Sequence, residues 1–184
     1  MTSKAAAVRS ALLLLRHRSG DRTAFAELVA LWQRPLLYYL RRLLPEEADA
    51  WDALQETWVR AVREQHRLRD ERALPAWLYT IARRVAWRVM ERAHPEEPLP
   101  GDDELGAIPA AGEPPGLAGF DALDVHRALA ALSLVHRDVL TLHVLEGFSV
   151  AEIGAITGVA DGTVKSRLFH ARHALRKRLE GGMS

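Results

Sequence analysis

The sequence predicts an all-α chain built as two small helical domains joined by a flexible, acidic, Pro-rich linker, the C-terminal domain carrying a helix-turn-helix. Three observations predict this. Apolar residues recur at helical spacing through most of the 184 residues, while the alternation expected of strands is nearly absent. From Ala93 to Phe120 there is no Lys or Arg but six acidic residues and six of the nine prolines, a composition that buries too little apolar surface to offset its ordering entropy. Finally, Ser149 to Leu168 places the start, stop and restart signals of two helices in one short window.

Gly20 and Asp21 read as a helix stop followed by a cap. Phe25, Leu28, Val29, Trp32, Leu36, Leu37 and Leu40 then mark an apolar face, with Pro35 expected to kink or break the helix. Pro45, Glu46 and Glu47 open the next helix, since proline is tolerated and carboxylates are favoured in a first turn. That helix is expected to carry Trp51, Leu54, Trp58 and Val62 inward. A further helix runs from about Pro75 through Trp77, Leu78, Ile81, Val85 and Val89 to Arg92. The expected product for residues 10–92 is a compact bundle, followed by a linker at 93–120 and a second domain at 121–181.

In the second domain Ser133 can cap a helix, and Ser149 with Glu152 has the spacing of a capping box. Ile153, Ile156 and Val159 supply apolar positions, Gly154 permits a close helix crossing, and Gly158 can take the positive φ of a tight turn. Asp161 can cap the second helix, on which Val164, Leu168, Ala171 and Leu175 form the inward stripe. At about 100° per residue, Gly162, Ser166, Phe169 and His173 lie opposite that stripe, flanked by Lys165 and Arg172 on one side and Arg167 and His170 on the other. Small and polar groups centred between cations suit a helix lying in a DNA major groove, the flanking charges meeting phosphates.

The net charge of +1 conceals a partition. Residues 1–92 carry +6, the linker −6 and residues 121–184 +1, with +4 concentrated in residues 161–184. Basic ends on an acidic tether are the electrostatic pattern of a nucleic-acid binder. The absence of Cys excludes disulfides, thiolate zinc sites and cysteine nucleophiles. Ala11–Leu15 is too short for a signal-peptide core, and no stretch approaches the ~20 apolar residues of a membrane span, so a soluble cytoplasmic protein without membrane insertion is expected. The eight His are scattered, and only His170 and His173 share a helix face, without a nearby carboxylate on it. There is no Gly-rich phosphate loop, no His-Glu-x-x-His and no nucleophile elbow, so neither catalysis nor a cofactor, metal or small-molecule substrate is expected.

Four segments carry a family resemblance: SGDRTAFAEL at Ser19–Leu28, DALQETWVRA at Asp52–Ala61, AWLYTIARRVAWRVMER at Ala76–Arg92, and the C-terminal run from Glu146 to Leu179. In order and spacing they resemble the extracytoplasmic-function (ECF) sigma factors of bacterial RNA polymerase, over residues 10 to 181. The resemblance implies a non-catalytic specificity subunit with core RNA polymerase, promoter DNA and an anti-sigma factor as partners. It implies polymerase contact through Asp52, Gln55 and Glu56. Recognition and melting of the promoter −10 element would fall to Arg67, Arg69, Arg72, Trp77, Arg83, Arg84 and Arg88, with Trp77 the first and Tyr79 the second candidate for stacking on an unpaired base. Gly162, Thr163, Lys165, Ser166, Arg167, Phe169, His170, Arg172 and His173 would read the −35 element. Arg84 and Arg88 depart from the Asn and Asp of many members, which shifts base discrimination at the −10 element away from the family norm. The linker would occupy a basic channel of the polymerase. A stand-alone helix-turn-helix regulator is the alternative; it accounts for the C-terminal motif but leaves DALQETWVRA without a task.

Overall fold

The structure, a computed structural model, describes residues 4–93 and 122–181. Apart from Ala93, the segment read as a linker lies outside the described residues. The N-terminal half contains α1 (Lys4–Arg18), α2 (Arg22–Leu43), α3 (Glu47–Glu64) and α4 (Leu74–Ala93). Two short 3₁₀ turns, Gln65–Arg67 and Glu71–Ala73, lie between α3 and α4. The C-terminal half contains α5 (Ala122–Ala130), α6 (Leu134–Leu140) running into a π-helical turn (Thr141–Leu145), α7 (Val150–Thr157) and α8 (Asp161–Gly181). Among the described residues there is no strand.

Local chemistry sets most of the helix ends. Gly20 takes φ +98°, and Asp21 caps α2 by accepting from the Thr23 amide at 2.9 Å. Bonds from Thr23 and the Arg16 guanidinium hold the Asp21 carboxyl well below the usual carboxylate range. Inside the bundle, α2 buries Leu28, Trp32, Leu36, Tyr39, Leu40 and Leu43 on one face. Trp32 donates its indole N–H to buried Ser10 at 2.8 Å, which ties α2 to α1.

Two expectations are corrected here. Pro35 neither breaks nor ends α2, which continues through it to Leu43. The proline removes one backbone bond, but Leu28 and Trp32 before it and Leu36, Tyr39 and Leu40 after it are buried on the same face, so packing keeps the helix continuous across it. In α3, Trp51 and Val62 point outward, with 40 % and 47 % of their surface exposed. The inward stripe is Ala50, Ala53, Leu54, Thr57 and Ala61, with Trp58 half-buried at its edge. Small residues let α3 approach its neighbours closely, and the larger side chains are displaced to the flank.

The two halves share one hydrophobic core. Tyr79 of α4 lies at its centre, fully buried, with edge-on aromatic contacts to Trp32 (6.3 Å between ring centroids), Tyr39 (5.0 Å) and Phe148 from the C-terminal half (4.9 Å). Its hydroxyl donates to Glu146 Oε2 at 2.5 Å, and the Tyr39 hydroxyl donates to Asp138 Oδ1 at 2.7 Å. Arg83 Nε donates to the other oxygen of Asp138 at 2.6 Å, and Arg137 Nη1 donates across the seam to the Arg42 carbonyl at 3.1 Å. Burial pushes both tyrosines well above their ordinary value, each further held up by the carboxylate it faces.

Burial also raises the Glu146 carboxyl above its ordinary value, against the lowering effect of the Tyr79 bond. A carboxyl raised in the folded state contributes stability that is present at low pH and lost as pH rises through the raised value. Glu146→Gln, which keeps an acceptor for Tyr79, is therefore expected to melt at a higher temperature than the parent chain at pH 7–8. The gap should close as the pH falls toward 4.5, and thermal unfolding followed by circular dichroism across that range checks it.

Candidate nucleic-acid interface

The helix-turn-helix forms as its sequence signals require. Ser149 Oγ accepts from the Glu152 amide at 3.3 Å while the Glu152 carboxylate accepts from the Ser149 amide at 2.8 Å, completing a capping box at the start of α7. Gly158 ends the helix in the left-handed region at φ +79°. Gly154 sits where a Cβ would stand 3.0 Å from the Val159 carbonyl oxygen and 3.1 Å from Asp161 Oδ1, so the turn closes against a bare backbone. Asp161 is the first residue of α8 rather than its cap; the Ala160 carbonyl accepts the first helical bond, from Val164. Val164, Leu168, Ala171 and Leu175 are buried as the stripe predicts.

On the opposite face of α8, Gly162, Lys165 and His173 are exposed, and Thr163, Ser166, Phe169, His170 and Arg172 are half-buried. The phenyl ring of Phe169 stands edge-on to the imidazole of His170 at 5.4 Å. Arg167 departs from the expected surface, with only 4 % of it exposed. Burial lowers its pKa and nearby Arg83 lowers it further. One flank of the predicted contact face is thus buried at Arg167, while the flank bearing Lys165 faces solvent.

The N-terminal cations are distributed in a similar way. Arg67, Arg69 and Arg72 are exposed around the two 3₁₀ turns. That stretch is held in place by Arg18 of α1, which donates to the carbonyls of Gln65 and, at 2.8 Å, Leu68, and pairs with Glu71 at 2.6 Å. On α4, Arg84 is exposed and Arg88 half-exposed, but Arg83 is turned into the seam, bonded to Asp138 and lying over the Trp87 ring at 4.2 Å. Trp77 is half-buried against the core. Tyr79, the second stacking candidate, is not available for stacking: it is fully buried and its hydroxyl is engaged by Glu146. Asp52, Gln55 and Glu56 form an exposed polar edge on α3, with Glu56 paired to Arg60 one turn on.

Among the described residues no group of three or more His, Asp or Glu is placed to hold a metal ion, and no helix is long and apolar enough to cross a membrane.

Two family models match the chain: sigma-70 region 2 over residues 28–94 and sigma-70 region 4 over residues 122–175. The ECF RNA polymerase sigma factor SigL of Mycobacterium tuberculosis is 36 % identical over 143 residues, covering 77 % of this chain and 81 % of SigL. The chain belongs to the ECF RNA polymerase sigma factors. The sigma-E factor of Salmonella typhimurium is 30 % identical over 179 residues, covering 92 % of this chain and 93 % of that one. Among solved structures, the Bartonella quintana sigma factor RpoE, in complex with the anti-sigma factor NepR, superposes with a TM-score of 0.66 at 29 % identity, over 85 % of this chain and 96 % of that chain.

In this sigma factor the stretches matched by the two regions meet at a seam where three polar members, Tyr39, Asp138 and Glu146, were not singled out by sequence reasoning. A signal for one of them was present. Asp138 falls on the apolar face of α6, one turn after Leu134 and one before Leu142, where a carboxylate requires a buried partner.

Replacing Gly158 by Ala forces a Cβ into the left-handed region and is expected to cost about 1–2 kcal/mol. Ser149→Ala removes the cap and is expected to cost about 1 kcal/mol. Urea unfolding should show both losses, with Gly158→Ala at least as large.

Proposed function

We propose that the chain binds core RNA polymerase and directs promoter-specific initiation by reading a −10 element with its N-terminal half and a −35 element with α8. The observation that carries this reading is the presence, in one chain matched by both sigma-70 regions, of an exposed polar edge on α3 and an exposed cationic face on α8. Asp52, Gln55 and Glu56 meet basic residues of the polymerase, setting register and on-rate. Arg67, Arg69, Arg72, Arg84 and Arg88 hold phosphates of the unwound strand, and Trp77 offers a surface to an unpaired base. Lys165 and Arg172 meet phosphates beside the −35 groove, while Ser166, Phe169 and His173 face base edges.

In this reading residues 10–92 and 121–181 act as separate DNA-reading units and residues 93–120 as their tether. The chain works in the cytoplasm as a binding subunit without catalytic chemistry of its own. An anti-sigma protein holds it inactive, as NepR is bound to RpoE in the Bartonella complex.

Run-off transcription with purified core enzyme tests the assignment: product is expected only from promoters carrying both elements. Lys165→Ala should weaken −35 binding on every sequence and lower the salt slope of binding by about one. Retained tight binding to duplex DNA with no association to core enzyme would favour the stand-alone regulator.

A further inference from the structure

Two arginines drawn into the fold near the end of α2 lack a counter-charge. Arg42 has 8 % of its surface exposed, yet its side chain bonds a neutral group, the Tyr38 hydroxyl, with the guanidinium over the Tyr38 ring at 4.6 Å. Arg137 of α6 donates to the carbonyls of Arg42 and Leu132 at 3.1 and 3.0 Å, and its Nε is buried without a hydrogen-bond partner. Among the described residues no carboxylate pairs with either arginine. Burial lowers the Arg137 pKa, and no neighbouring carboxylate opposes it. A cation withdrawn from water is costly unless an opposite charge meets it, as Asp138 meets Arg83.

Both arginines line a cavity of about 330 Å³ between α2, α4, α5 and α6. Arg41, paired with Glu47 and more exposed, also lines it, and Leu43, Met90 and Leu129 supply apolar wall. We propose that this cavity binds a small phosphorylated molecule, whose terminal phosphate supplies the counter-charge for Arg42 and Arg137 while the rest of the molecule lies against Leu43, Met90 and Leu129. A carboxylate brings one negative charge, whereas a phosphate monoester brings close to two at neutral pH and three oxygens, enough to bridge two guanidinium forks. A phosphodiester within a nucleic acid again brings one charge, and it is carried on a long polymer that a recessed arginine meets poorly. The volume lies at the small end of ligand cavities, which limits the occupant to about the size of a mononucleotide. None of the residues assigned above to polymerase or promoter contact takes part, so the proposal stands apart from that reading.

Isothermal titration calorimetry of the full chain tests it with inorganic phosphate, phenyl phosphate, AMP and, as the uncharged control, phenol. Phenyl phosphate is expected to bind one per chain with a Kd below about 1 mM, and phenol not to bind. Inorganic phosphate should bind at least about threefold more weakly than phenyl phosphate, because it leaves the apolar wall uncovered. Arg42→Met and Arg137→Met should each weaken phenyl phosphate binding by about tenfold or more, while Met in place of exposed Arg34 on the same helix leaves it unchanged. Far-UV circular dichroism establishes that the helices persist. Arg42→Lys and Arg137→Lys keep the charge but lose the fork, and they carry the test where a Met variant unfolds, with an expected weakening of about threefold or more. Phosphate binding that survives substitution of both arginines would place it on the exposed DNA-facing cations and overturn the proposal. So would the absence of binding by every phosphate probe, with Arg42→Lys instead lowering affinity for a promoter duplex.

Discussion

A carboxylate with 1 % of its surface exposed organises this molecule. Asp138 projects from the apolar face of α6, and an ionised carboxylate so placed costs several kcal/mol unless it is paired and hydrogen-bonded. Both side-chain donors that satisfy it belong to the other half of the chain: the Tyr39 hydroxyl on one oxygen and Arg83 Nε on the other. The apolar face of α6 can therefore become dry only with α2 and α4 already in place against it. Tyr79, Phe148 and Glu146 extend the same seam, so the aromatic centre of the N-terminal bundle is completed by residues more than sixty positions further along.

Features governed by neighbours along the chain are legible in the sequence. The Asp21 cap, the positive φ at Gly20 and Gly158, the Ser133 cap and the Ser149–Glu152 box each depend on a few consecutive residues, and each forms. The stripe of α8 is legible because a long helix samples one face many times. The rotation of α3 is not. Trp51 and Val62 are strongly apolar, but the closeness of the neighbouring helices selects the small residues Ala50, Ala53 and Ala61 for the interior instead. Persistence of α2 through Pro35 is hidden for a related reason, since local propensity does not register the packing that holds both segments.

The candidate site divides along the same line. Lys165, Arg67, Arg69, Arg72, Arg84 and the polar edge of α3 stand exposed, as their charge implies. Arg83 and Tyr79 do not, because contacts from the other half claim them, and Arg167 is buried as well. Helical periodicity assigns a face to solvent only when nothing distant covers it. For Arg83 and Tyr79 the covering element is the partner domain.

Pairing across the seam joins the two halves into one cooperative unit in the free chain. Differential scanning calorimetry of the isolated protein tests this most directly. A single transition is expected, with calorimetric and van't Hoff enthalpies that agree. Two transitions, one for each half and each insensitive to substitution at Asp138, would contradict it.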